Sequence, residues 1–402
     1  MSEYGSLYEP AEEWYPELRE RVQERLGLEK EGSDIQVKRQ IYEVLSAESH
    51  KKYIPVQKRV QMGRRLFNSL RRLDILQPML EDPEVTEIMV NGPEHIYVER
   101  QGRLYRARAC FESRQRLEDV IQQIVGQVNR RVNELVPIAD ARLADGSRIN
   151  VILPPIALNG PILTIRKFRS QPITLREMIQ WGTLTEEAAA FLQKLVRNRY
   201  NLFVCGGTGA GKTTLLNVLG NLIPEGERII TIEDAAELRL SALDNVVTLE
   251  ARSGGIDGKG AVTIRDLIKT SLRARPDRII VGEVRGAEAL DMLSAMNTGH
   301  EGSLSTGHAN STEDMLSRIE TMVLMGAELP VEAIRQQIAS ALDIFIYISR
   351  GGGMRRITQI QQVLGMENGK VQLQPLFELQ NGKLCRTTAP LYRKRERCDE
   401  GL

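Results

Sequence analysis

Leu202-Phe203-Val204-Cys205-Gly206-Gly207-Thr208-Gly209-Ala210-Gly211-Lys212-Thr213 reads as an apolar strand running straight into a glycine-rich loop. The helix-forming run Leu215-Leu216-Asn217-Val218-Leu219 follows at once. Free backbone N–H groups and the positive end of a helix dipole therefore converge on one anion. Glycines let the backbone take positive φ and come within hydrogen-bond distance of phosphate oxygens. Lys212 can reach the β and γ phosphates as a mobile point charge, and the Thr213 hydroxyl is placed to ligate Mg²⁺. The stretch Gly207, Thr208, Gly209, Ala210, Gly211, Lys212, Thr213 and Thr214 is the predicted cradle of a nucleoside triphosphate. A glycine-rich turn that matches a loose pattern is the competing reading, and the strand before and helix after the loop speak against it.

Around this loop the chain alternates strand and helix. Strands are expected at 202–205, 228–232, 245–249, 278–281, 303–305 and 343–348, with Thr183-Leu184-Thr185-Glu186 as a capping box for a helix running to about residue 198. The fold class is α/β: a mostly parallel sheet covered by helices, with the nucleotide at the carboxyl ends of the strands.

Hydrolysis needs a carboxylate near the attacking water and positive charge for the transferring phosphoryl group. Arg278-Ile279-Ile280-Val281-Gly282-Glu283 is an apolar strand that ends in an acid. Many phosphate-loop enzymes carry an aspartate just before that glutamate, where this chain has Gly282. Thr213, phosphate oxygens and waters then hold most of the metal, and Glu283 positions or deprotonates the water; a surface glutamate ending a strand is the plainer alternative. Thr231-Ile232-Glu233-Asp234-Ala235-Ala236-Glu237 is a second acidic strand end. Glu233, Asp234 and Glu237 either surround metal and water, or Glu233 or Asp234 caps a following helix. Of the four histidines, His300 and His308 flank the small-residue strand in Thr298-Gly299-His300-Glu301-Gly302-Ser303-Leu304-Ser305-Thr306-Gly307-His308. His308 is the candidate γ-phosphate sensor, against a packing role. Arg142, Arg148 and Arg166 lie on strands of the preceding region, and Arg252, Arg273, Arg275 and Arg285 surround the acidic strands. Any of them could act as an arginine finger or as a surface ion-pair partner.

Upstream, residues 1–80 read as helices at 16–28, 35–47 and 56–79, with Ser33-Asp34 as a cap. Lys51, Lys52, Lys58, Arg59, Arg64, Arg65, Arg71 and Arg72 read as a solvated face, or else as a docking surface for a partner or anionic lipid heads. Residues 83–168 read as an α+β domain of short strands with one helix over 114–136, and hairpins at Gln101-Gly102 and Asp145-Gly146. Ser170-Gln171-Pro172 opens a linker over 169–182, the nucleotide-binding domain spans 183–390, and 391–402 is a tail.

The 402 residues suffice for two or three cores, and 27% charged with 42% apolar residues is ordinary for a globular protein. A net charge of +1 provides no global field for nucleic acid. No run approaches the ~18–20 apolar residues that span a bilayer, and the start carries no signal-peptide pattern, so a cytosolic protein is expected. Cys110, Cys205, Cys385 and Cys398 are scattered without a Cys-x-x-Cys pair, which argues against a zinc site.

In order along the chain stand Glu84-Val85-Thr86-Glu87-Ile88-Met89-Val90-Asn91-Gly92, Asp140-Ala141-Arg142-Leu143, Gly146-Ser147-Arg148, the phosphate loop, Ile232-Glu233-Asp234, Arg275-Pro276-Asp277-Arg278, Val281-Gly282-Glu283-Val284-Arg285-Gly286 and Ser305-Thr306-Gly307-His308. This set resembles the secretion ATPases of type II and type IV secretion and type IV pili, nearest to the CpaF-like ATPases of tight-adherence (Tad, Flp) pili. The resemblance covers about residues 76–378. It identifies Glu233, Asp234 and Glu237 with the family's Asp box, Gly282-Glu283 with its atypical Walker B and His308 with its His box. It implies a RecA-like domain with a smaller, PAS-like α+β N-terminal domain, a homohexameric ring, and ATP with Mg²⁺ held between the two domains. Arg142, Arg148 and Arg166 then join the nucleotide ligands. It also implies a motor for pilus assembly or secretion on the cytoplasmic face of an inner-membrane platform; the linker around Pro172 is the expected hinge of its two domains. The tetracysteine zinc module of many relatives is absent, which argues against those branches. The rival expectations are a ring helicase or DNA translocase, for which the chain lacks a basic channel interleaved with stacking aromatics, and a nucleotide-sensing scaffold without turnover.

Overall fold

The computed structural model describes residues 15–27, 33–100, 102–127, 132–143, 145–168, 173–252, 260–351 and 353–392. Contacts divide the chain into two units, Met1–Ser170 and Gln171–Leu402.

In the first unit, α1 (Tyr15–Leu26), α2 (Asp34–Lys51) and α3 (Val56–Arg71) enclose a small core that includes Leu18, Val22, Ile41, Leu45 and Leu66. Ser33 caps α2 in a reciprocal box with Gln36. The single helix expected over 56–79 is interrupted. α3 ends at Arg71, a 3₁₀ turn covers Asp74–Leu76, and α4 (Gln77–Glu81) follows. In one continuous helix the Pro78 ring would collide with the carbonyl of Asp74 and leave it without its hydrogen bond. The chain breaks at Asp74 instead, at φ 52°, where the side chain accepts a hydrogen bond from Arg116 Nε at 2.6 Å.

The strands that follow form one antiparallel sheet in the order β3-β2-β1-β6-β5-β4. They are β1 (Val85–Asn91), β2 (Ile96–Arg100), β3 (Arg103–Arg106), β4 (Ile138–Arg142), β5 (Arg148–Ile152) and β6 (Ile162–Arg166). Between β3 and β4, α5 (Arg114–Gln127) buries Leu117, Val120, Ile121, Ile124 and Val125. The helix expected to reach residue 136 does not. Asn133 accepts from the amides of Leu135 and Val136 with its own side chain, a local bond that competes with helical pairing.

The second unit opens with α6 (Leu175–Gln180) and α7 (Glu186–Arg197). The cap of α7 is Thr185, whose hydroxyl accepts from Ala188 N at 3.3 Å. Thr183, where the capping box was expected, is buried, and its carbonyl accepts from Ile357 N. There follow β7 (Leu202–Gly206), α8 (Lys212–Gly220), β8 (Ile229–Glu233), β9 (Val246–Glu250), α9 (Ile264–Ser271), β10 (Arg278–Val281), α10 (Glu288–Asn297), β11 (Leu304–His308), α11 (Thr312–Leu324), α12 (Val331–Ala341) and β12 (Ile344–Gly351). β13 (Met354–Glu367), β14 (Lys370–Gln380) and β15 (Lys383–Arg386) complete the unit. The sheet order is β15-β14-β13-β12-β7-β11-β10-β8-β9. From β12 to β9 the pairing is parallel, and from β12 to β15 it is an antiparallel meander. The meander is an addition to the six strands the sequence suggests.

Both faces of the parallel part are covered. Leu202 and Val204 of β7 enter one core, and Phe203 and Cys205 enter the other, so β7 reads as an uninterrupted apolar run. From β7 the chain crosses to β8 on one side and later returns to β12 on the other. The loop after β7 therefore opens at the point where strand order reverses, the favoured ligand position in such sheets. Among the described residues no helix is long and apolar enough to cross a membrane.

Candidate active site

The phosphate loop forms because three of its glycines occupy conformations or spaces closed to other residues. Gly209 and Gly211 lie at φ 69° and 102°, where L side chains are strained. A Cβ at Gly206 would fall on the carbonyl of Ile348 in the adjacent strand β12. Gly211 is the N-cap of α8 and offers no side-chain cap, so the first amides of this helix face the loop as an anion cradle.

Lys212, the first residue of α8, is buried; its amine donates to Gly207 O at 3.0 Å and lies 3.1 Å from His308 Nδ1. His308 ends β11, and its Nε2 lies 3.2 Å from Glu283 Oε1. Desolvation, followed by the repulsion of Lys212, Arg285 and Arg318, holds the His308 pKa below its ordinary value of 6.5 against the opposing pull of Glu283. The imidazole is therefore neutral at pH 7. Its partners fix the tautomer: Nδ1 accepts from Lys212 and Nε2–H donates to Glu283. Burial likewise lowers the Lys212 pKa, opposed by Glu283. Arg285 Nε donates to the same Glu283 oxygen at 2.6 Å, and its Nη1 lies 3.6 Å from Asp234 Oδ2. Glu283 is thus held by a neutral donor and a guanidinium, with one carboxylate oxygen taking both.

The missing aspartate at position 282 has a steric cause. A Cβ on Gly282 would stand 2.7 Å from Cγ of Glu233, because Ile232 and Val281 pair in register and set the two strand ends side by side. Glu233 fills that space. It is 4% exposed, and its carboxylate accepts from the amides of Glu237 at 2.9 Å and Leu238 at 3.2 Å. No helix follows; the acid holds a turn of irregular chain, so the helix-cap alternative does not describe it. Asp234 is exposed and Glu237 half-buried. Of the sequence candidates, the second unit brings Lys212, His308, Glu283 and Asp234 into one connected chain, and sets Glu233 against it. Thr213 and Thr214 follow Lys212 in the first turn of α8. His300 is elsewhere engaged, with Nδ1 3.2 Å from Ala295 O.

Sequence reasoning missed several neighbours. A cleft of about 450 Å³ beside the loop is lined by Gly207, Thr208, His308, Asn310, Asp314 and Arg318, and Arg318 adds a cation on α11. Arg355 of β13 donates from Nε to Gly209 O at 3.0 Å. Arg318 and Arg355 come from distant segments, and no local motif marks them. Arg252, by contrast, donates to Gly260 O, and the Gly-rich stretch 253–259 before it, which by sequence reads as a substrate loop or a mobile surface loop, lies outside the described residues, as do the linker residues Ser170, Gln171 and Pro172 and the tail from residue 393.

In the first unit, Arg142, Arg148 and Arg166 stand in one row: Arg142 pairs with Arg148 across β4 and β5, and Arg148 with Arg166 across β5 and β6. The row continues through Glu87 of β1, which pairs in register with Arg166, so the outer arginine faces a carboxylate. Among the described residues no group of three or more His, Cys, Asp and Glu side chains is arranged to hold a metal. Cys110, Cys205 and Cys385 are free thiols, and burial pushes the Cys205 thiol up, as befits a core residue.

A parallel sheet with this strand order, a phosphate loop at its switch point and an acid at the end of β10, the next strand but one, define a RecA-like P-loop ATPase. Residues 70–351 match the family model described as type II/IV secretion system protein, and the chain belongs to that family. It is 32% identical over 324 residues to the conjugal transfer protein TrbB of Rhizobium radiobacter, covering 80% of this chain and 96% of the relative. It is 32% identical over 318 residues to the type IV secretion system protein VirB11 of Brucella suis, covering 72% and 88%. Among solved structures, the ATPase DotB of Legionella pneumophila shares the fold, with a TM-score of 0.51 at 20% identity over 75% of this chain and 79% of that one.

Proposed function

We propose that this chain is an ATP-hydrolysing motor that powers protein secretion or pilus assembly from the cytoplasmic side of a membrane, within the CpaF-like, tight-adherence branch. The observation that carries the ATPase reading is the chain of contacts Lys212–His308–Glu283–Arg285 at the mouth of the phosphate loop. Conjugal transfer and type IV secretion relatives support the motor reading over a helicase.

In the proposed reaction the amides of the loop and Lys212 bind the β and γ phosphates of ATP. Glu283 accepts a proton from water as its oxygen attacks the γ-phosphorus, and ADP leaves. Arg285 keeps Glu283 aimed, and His308 ties the carboxylate to the lysine, so the position of the γ-phosphate is felt at the base. The donor set suits Mg²⁺, which favours oxygen ligands and keeps several waters: the Thr213 hydroxyl follows the loop directly, Glu233 and Asp234 stand at the adjoining strand end, and phosphates supply the rest. When bound, the ion neutralises charge on the phosphates. Glu237, through its amide, holds Glu233 in place. Arg142, Arg148 and Arg166 are proposed nucleotide ligands on the strength of their shared row and the family resemblance.

The proposed organisation is a helical extension over 1–80, an α+β domain over 83–168, a linker over 169–182, the ATPase domain over 183–390 and a tail over 391–402. The proposed assembly is a homohexameric ring on inner-membrane platform proteins, without nucleic acid. Purified protein should hydrolyse ATP with Mg²⁺ and lose turnover on chelation, with no stimulation by single-stranded DNA. Stimulation by DNA would favour the translocase, and binding without turnover the sensing scaffold.

A further inference from the structure

The phosphate loop rests against one hairpin of its own unit. Ile348 occupies the space a Cβ on Gly206 would need. Arg350 Nη1 lies 3.7 Å from the Cβ position of Gly209, and Arg355 Cδ lies 3.2 Å from that of Gly211. Arg355 also donates to the Gly209 carbonyl at 3.0 Å. Three glycines of the loop thus meet three residues of β12 and β13, contributed from more than 130 positions away in sequence.

The two arginines are register partners: Arg350 stands directly across from Arg355 in the antiparallel ladder. Like charges facing each other across two strands are unfavourable by themselves. Here they sit where a nucleoside triphosphate would concentrate negative charge. Arg355 thus engages the loop through the carbonyl of Gly209.

Building on the ATPase reading above, we propose that Arg350 and Arg355 form a guanidinium clamp for the polyphosphate of the nucleotide, with Arg355 fixing the loop and Arg350 meeting the phosphates at its rim. The clamp makes the β12–β13 hairpin part of the nucleotide site, so occupancy of the loop is transmitted to the antiparallel meander β13–β15. The ligand class is a nucleoside di- or triphosphate, recognised by charge and not by its base.

The test measures affinity of full-length protein for fluorescent ADP and ATP analogues across a salt series, in wild type, R350A, R355A, R350K, R355K and K212A, with folding checked by circular dichroism. R350A and R355A should each bind the diphosphate and triphosphate roughly tenfold more weakly, as expected for loss of a charge-assisted contact. They should also have a shallower salt dependence, and R350K should recover part of the loss because a point charge remains. An uncharged adenosine analogue should bind all variants alike. Wild-type affinity and salt slope in both alanine variants, alongside a K212A variant that has lost binding, would overturn the clamp and leave the ATPase reading standing. Wild-type protein that binds neither nucleotide would overturn both. If either alanine variant fails to fold, the glutamine variant at that position, which also removes the charge, replaces it: wild-type affinity and salt slope in the uncharged variants at both positions overturn the proposal.

Discussion

The amine of Lys212 lies 3.1 Å from Nδ1 of His308, and the other ring nitrogen of that histidine lies 3.2 Å from Glu283. One imidazole therefore joins the lysine of the phosphate loop to the proposed base. This link works only while the ring is neutral, since a protonated Nδ1 cannot accept from an ammonium.

The pH dependence follows from that. The folded His308 pKa is held below 6.5, chiefly by desolvation, so between the two values the unfolded chain binds more protons than the folded one. Stability contributed at this site is complete above pH 6.5 and is lost as pH falls through the unfolded value toward the folded one. Nuclear magnetic resonance titration should show a histidine resonance, absent in H308Q, that titrates below 6.5. ATPase activity should decline with the same midpoint. A His308 resonance titrating above 6.5 would contradict this account.

Glu283 is the residue whose loss should separate binding from turnover. E283Q keeps the shape of the side chain and removes its basicity, and a positioned general base contributes roughly 10²–10⁴ in rate. Turnover should fall by that order with ATP affinity nearly unchanged, whereas K212A should lose affinity. Hydrolysis by E283Q at the wild-type rate would remove Glu283 from the role of base.

How much of this was legible beforehand differs between strand and neighbour. β7 could be read because Leu202, Phe203 and Val204 are buried on both faces and so apolar without interruption. The meander could not, because Gln361 and Gln362 are polar yet buried in β13. Gln361 accepts from Thr312, while Gln362 donates to Gln374 at 2.6 Å and to Pro390 O at 2.8 Å. Tertiary partners make those residues compatible with burial, and no local pattern announces them. Likewise Glu283, Lys212 and His308 were visible as motif residues, but the contacts joining them were not. Arg355 went unseen since its partner, Gly209, stands 146 residues earlier.

Arg278 shows the opposite case, a motif residue whose work is structural. It is 0% exposed, makes a two-pronged pair with Glu227 at 2.7 Å for each contact, and donates to Val196 O at 2.6 Å. Removing one partner of a buried pair leaves an uncompensated charge. R278A should lower unfolding free energy by about 3 kcal/mol, the low end of the range for a broken buried pair, because Arg199 still approaches Glu227 at 3.3 Å. Denaturant melts would measure it, and at low temperature the surviving folded fraction should keep its turnover per molecule.

Gly282→Ala tests whether the acids at the strand ends act through their packing. The added methyl would meet Cγ of Glu233 at 2.7 Å, and Glu233 cannot yield freely, since two backbone amides hold its carboxylate. Overpacking of this kind costs about 1–3 kcal/mol, and here the strain has two outlets. If Glu233 is pushed aside, the turn at Glu237 and Leu238 loses its acceptor. If β10 shifts instead, Glu283 moves away from His308. Either way turnover should fall while affinity for ADP, which depends on the intact loop of β7 and α8, is retained. A second change that shortens the obstructing side chain, Glu233→Ala in the same background, should remove the clash but leave the amides of Glu237 and Leu238 without their acceptor, so neither wild-type stability nor hydrolysis should return. A Gly282→Ala protein with wild-type stability and turnover would show that the contact with Glu233 places no constraint on this position.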